Sequence, residues 1–186
     1  EEAIERLAEE AFIEDGPPLV FKADHGSEYF HCKRFSEFLR SWGVLALPTP
    51  PHYPKYNGRK EHGHWEFECH VRRTPGWPFL TKPELLHAFG RVMMLLNHEF
   101  PRPILGGKTS REVFLQRPRP QIDRKELRQE VEAWGRKIRE VYPNLKGGEP
   151  AYERRAISCA LLNHRLIKIE GPKLSPFFET LLGQKL

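Results

Sequence analysis

The sequence predicts an α/β layer followed by a mainly helical C-terminal region. Two short apolar runs, residues 19–23 (Leu-Val-Phe-Lys-Ala) and 44–47 (Val-Leu-Ala-Leu), each follow an amphipathic helical stretch. The order helix, strand, helix, strand allows the two strands to pair in parallel. Beyond residue 118, Leu127, Val131, Trp134, Ile138 and Val141 are spaced 4, 3, 4, 3, which is the seam of a helix that packs on another helix.

Each element has its own local reason. In residues 1–14, Ile4, Leu7, Ala8, Ala11 and Phe12 recur at helical spacing while glutamates take the other face, and Asp15-Gly16-Pro17-Pro18 stops the helix. The run at 19–23 delivers Asp24 to a strand end, followed by Gly26. Phe35, Phe38, Leu39 and Trp42 mark one face of a second helix closed by Gly43, and the second strand follows. Residues 48–58 (PTPPHYPKYNG) hold four prolines and an Asn-Gly, so regular structure fails there. A third helix begins near Arg59, with Glu61, Trp65, Glu68 and Arg72 on one side. Thr81 and Glu84 form a capping box before a helix carrying Leu85, Leu86, Phe89, Val92, Met93 and Leu96, with the Met pair expected to fill the core. Thr109 or Ser110 caps a short helix ending before Pro118, and Asp123 with Glu126 caps the seam helix. The tail from about 150 reads as a helix, a short strand over 166–169 and a final Pro-initiated helix.

Composition narrows the function classes. The 186 residues carry 30 Lys+Arg against 25 Asp+Glu, a formal net charge of +5. Residues 1–15 alone hold seven acids and one base, so the remaining body is markedly basic, which fits a polyanionic partner. No stretch reaches the ~18 apolar residues of a membrane span. The acidic start lacks the basic region of a signal peptide, so a cytoplasmic protein without a membrane partner is expected. Three cysteines without a CxxC read as reduced thiols, not a disulfide scaffold.

Singly, the acids are ordinary: an Asp before Gly is a turn residue, and a helical Glu usually belongs to a solvated face. Their order is more specific. A strand is followed by Asp24-His25-Gly26-Ser27-Glu28-Tyr29, a Phe-rich helix, Gly43-Val44, a proline-rich loop, Asn57-Gly58, and then Glu61 in the first turn of a new helix. This set resembles the catalytic core of the DDE integrases and transposases of the ribonuclease H-like superfamily. In that family a DxGxEF-like strand end supplies the second catalytic Asp, and an NG-x-x-E after a mobile loop supplies the Glu about 35 residues later. The resemblance continues through Leu96-Asn97 to Arg102-Pro103 and Gly106-Gly107-Lys108-Thr109-Ser110 to Glu112-Val113-Phe114, with Ser110 where Pro is usual.

The resemblance implies a partial ribonuclease H-like fold over residues 1–117, lacking its first strands, and a helical extension over 118–186. It implies a metal-dependent polynucleotidyl transferase of DNA integration or transposition. Asp24 and Glu61 would be catalytic and would bind Mg²⁺ or Mn²⁺. Carboxylates suit those hard cations, and a helix N-terminus favours negative charge near Glu61. Lys55, Tyr56, Arg59 and Lys60 surround the loop and are expected to hold phosphates and stack on bases of DNA. The family's first catalytic Asp has no counterpart in these residues. The alternative is therefore a catalytically dead, truncated remnant that binds nucleic acid without cleaving it, and a third reading is a helical interaction protein using the 127–141 seam. That seam and an exposed strand edge predict a homo-oligomer. His31-Cys32, His62, His64 and Cys69-His70 are zinc-type ligands, but none shows finger or ribbon spacing. Residues 106–109 are only a fragment of a phosphate-binding loop.

Overall fold

The computed structural model describes residues 2–23, 33–49, 58–79, 81–168 and 175–183. The chain forms two compact units, Glu1–Tyr53 with Pro120–Leu186, and Pro54–Arg119.

In the first unit, α1 (Glu2–Asp15), β1 (Val20–Ala23), α2 (Lys33–Ser41) and β2 (Leu45–Pro48) follow in order. β1 pairs with β2 in parallel, Val20 opposite Leu45 and Ala23 opposite Pro48. Alternation along the strands serves two layers. Leu45 and Leu47 pack with Leu127, Ile157, Ala160 and Leu161, while Phe21 and Ala46 join the cluster of Phe12, Phe35, Leu39 and Val44. Helices therefore cover both faces of the sheet: α1 and α2 on one, and α6 (Arg124–Val141) with α7 (Gly148–Asn163) on the other. Aromatic rings hold the first layer, with Phe12 stacked on Phe38 at 5.8 Å and Phe21 edge-on to Phe35 at 5.4 Å. The α1 stripe is narrower than the sequence suggests: Ile4, Ala8 and Phe12 pack inward, and Leu7 is exposed.

Two helix ends in this unit use the same hydrogen-bond pattern. At the end of α2, Gly43 N–H bonds Arg40 C=O and Val44 N–H bonds Leu39 C=O. At the end of α7, Arg165 bonds Leu162 and Leu166 bonds Leu161 in the same way. Both are Schellman ends with an apolar contact behind them. Their pivots, Gly43 and Arg165, have φ of 67° and 55°. Gly43 also lies against Arg124, whose Cδ would be 2.9 Å from an added Cβ. The Arg124 guanidinium donates to the carbonyls of Pro17, Pro18 and Gly43, tying α6 to the turns that flank the sheet. Burial lowers the pKa of that guanidinium.

The strand expected over 166–169 is not present at residues 166–168, and Ile169 lies outside the described residues. Leu166 and Ile167 instead pack on the core as the apolar closure of the α7 end. An arginine in the left-handed region costs roughly 1 kcal/mol. Arg165→Gly is therefore expected to raise unfolding stability by up to about 1 kcal/mol, measured by urea denaturation, less the added flexibility of the unfolded chain.

The seam of α6 is satisfied within the chain. Leu127 and Ile138 are buried, Val131 and Trp134 pack against α7, and Ile138 shares a cluster with Phe178 and Leu181 of α8 (Ser175–Leu182). Only Val141 is exposed, at 48%. The seam thus gives no reason for association and no support to a helical interaction protein, because its partner is α7.

The second unit is helical. It contains α3 (Gly58–Arg72), α4 (Lys82–Met94) continuing into a π-helical turn (Leu95–Glu99), a 3₁₀ turn (Pro103–Leu105) and α5 (Ser110–Gln116). Thr81 and Thr109 each close a full capping box, with Glu84 and Glu112. Its core is small: Val71, Val92 and Leu96, backed by Phe67 and Phe79. Leu86, Met93 and Met94 are half exposed, so the methionines do not fill the core as expected.

Candidate functional site

Both strands of the parallel pair end at the same edge of the sheet. β1 ends at buried Ala23, immediately before Asp24 in sequence. β2 ends at Pro48, and buried Thr49 donates its N–H to the Ala23 carbonyl at 3.0 Å. Because the strands are parallel, the Asp24 segment and the proline-rich segment leave from the same end of the sheet. Ligands of open α/β sheets gather at that edge.

Asp24, Lys55 and Tyr56 lie outside the described residues, as do the side chains of Arg59 and Lys60 and the segment of residues 50–57. Glu61 is described. It is exposed in the first turn of α3 and makes no ion pair among the described residues. The face it shares points to solvent: Trp65 is 61% exposed with its ring stacked on His62 at 5.7 Å, and Glu68 pairs with Arg72 at 2.6 Å. The opposite face carries structure. Glu66 accepts from Arg102 Nη1 at 2.8 Å through both oxygens, which clamps α3 to the Phe100-Pro101-Arg102-Pro103 segment.

The Gly106-Gly107-Lys108-Thr109 segment is a closing turn. Both glycines have positive φ, Arg102 and Lys108 form a two-residue bridge, and Lys108 Nζ donates to Gln116 at 2.6 Å. The turn delivers Thr109 as the cap of α5. Its lysine and backbone thus have partners within the turn and α5.

The other sequence candidates carry no site here. Among the described residues no group of three His, Cys, Asp or Glu is placed to hold a metal ion, and His31 and Cys32 lie outside them. Cys159 is fully buried and burial pushes its thiol up to about 12, so it is protonated at neutral pH and no nucleophile. No helix among the described residues is long and apolar enough to cross a membrane.

Sequence reading missed one feature of the second unit. His70 and Arg73 at the end of α3 and Arg91 of α4 line one cavity of about 410 Å³. Arg73 and Arg91 are 18 positions apart on different elements, so no local spacing reveals them. Compared with family models, with curated proteins and with solved structures, the chain matches none.

Proposed function

We propose that the chain is the Asp24- and Glu61-bearing part of a DDE-type polynucleotidyl transferase with a ribonuclease H-like core, acting on DNA phosphodiesters in integration or transposition. The observation that carries this reading is the ordered motif set combined with a parallel β-α-β unit whose strands end at one edge, just before Asp24 and the proline-rich segment in sequence. The donor chemistry fits a hard cation: Glu61 is exposed and unpaired among the described residues, and Asp24 and Glu61 would hold Mg²⁺ or Mn²⁺. When bound, such ions activate a water or a DNA 3′-hydroxyl and stabilise the leaving oxygen.

In this role Lys55, Arg59 and Lys60 hold the DNA backbone and Tyr56 stacks on a base. Self-association, as part of the same proposal, rests on the outer edges of β1 and β2, because the α6 seam is occupied.

The chain is expected to bind duplex DNA without strong sequence preference. Its log affinity should fall linearly with log salt, and K55A/R59A/K60A should make that slope shallower by about 2–3 if each cation meets one phosphate. Titrations of a labelled duplex between 50 and 200 mM salt, followed by fluorescence anisotropy, measure it. An unchanged slope would remove these residues from the DNA surface. DNA binding with no cleavage under any metal condition, even with the family's first carboxylate supplied, would favour a non-catalytic binding protein.

A further inference from the structure

Charge is divided unevenly between the two units. Residues 54–119 carry twelve Lys and Arg against six Asp and Glu, a net of +6, which leaves −1 on the rest of the chain. Outside the acidic residues 1–15 the first unit carries +5 over 105 residues, so basic charge is denser, at +6 over 66 residues, in the small helical unit.

Within that unit the side chains fall into two sets. Arg72 is paired with Glu68 and Arg102 with Glu66, whereas Arg73 and Arg91 are exposed and make no ion pair among the described residues. Both unpaired arginines line the same cavity, with His70 beside them, and Met94 and Leu95 form its apolar wall. Glu99 is the one acid in the lining. Two guanidinium forks beside an apolar surface suit a phosphate joined to a sugar or base.

We infer that the cleft between the end of α3 and α4 is a second DNA-backbone site, in which Arg73 and Arg91 grip one or two phosphates and Met94 and Leu95 contact the attached sugar. This rests on the DNA reading above but uses none of its residues. The site sits at the opposite end of α3 from Glu61. At 1.5 Å per residue, the 12 positions from Glu61 to Arg73 span about 18 Å, which corresponds to about five base pairs of duplex at 3.4 Å each.

The test compares R73A/R91A and the charge-retaining R73K/R91K with the unsubstituted chain, titrating an arbitrary labelled 20-base-pair duplex at several salt concentrations. Both arginines are exposed, so the substitutions spare the core. R73A/R91A is expected to lower the salt slope by about 1–2, and R73K/R91K to restore most of it. Duplex binding with the same slope in all three proteins overturns the cleft and leaves the DNA reading standing. No duplex binding by the unsubstituted chain overturns both. A loss in R73A/R91A that R73K/R91K fails to restore, with the salt slope unchanged, would also overturn a backbone contact, because it would indicate an effect other than charge.

Discussion

Asp24→Asn and Glu61→Gln are each expected to lower Mg²⁺-dependent DNA strand transfer by at least about 100-fold, the upper end of what losing an outer-shell partner of a metal ligand costs. Under the proposed reading, the measurement uses these 186 residues joined to a segment that supplies the first carboxylate of the DDE-type site. An amide keeps the shape of the side chain but lacks the anionic oxygen that a hard cation needs. Glu61 is exposed and makes no ion pair among the described residues, so Glu61→Gln should leave urea stability and DNA affinity close to those of the parent. That separation isolates chemistry from folding. Equal strand transfer by the parent and both variants would show that these acids do not carry the reaction, and the motif set would then reflect ancestry.

Ile138→Ala should be among the most destabilising single substitutions in the chain. Ile138 is 0% exposed and touches the α7 and α8 side of the core, so its truncation leaves a cavity costing about 2–5 kcal/mol. Val141, three residues on in the same seam, is 48% exposed, and Val141→Ala should change stability by no more than about 0.5 kcal/mol. Urea denaturation of the two variants, with light scattering on each, separates an internal seam from an intermolecular one. If both substitutions changed the oligomeric mass and neither the stability, the seam would lie between chains.

The parts of the fold that could be read in the sequence are those specified within a few residues. Thr81, Thr109 and Asp123 each cap a helix as their spacing to Glu84, Glu112 and Glu126 implies. Gly43 marks a helix end because glycine takes positive φ readily. Arg165 performs the same task without a recognisable signature, which is why the apolar residues after it read as a strand. The partner of the seam was equally illegible: periodicity gives the apolar face of α6 but not the identity of what covers it. The same holds for the site. The placement of Glu61 in a first helical turn follows from local sequence, whereas the cleft at Arg73 and Arg91 exists only once α3 and α4 are packed.

The first unit is discontinuous, and this has a consequence for synthesis. Leu45 and Leu47 are covered on one face by Ile157, Ala160 and Leu161, which leave the ribosome more than a hundred residues later. At about 5–20 residues per second, that face of the nascent sheet waits roughly 5–20 s for its cover, while the second unit is made and can fold in between. The wait exposes an apolar parallel strand pair to other nascent chains, so the yield of soluble protein should depend on chaperone capacity and on translation speed through residues 54–119.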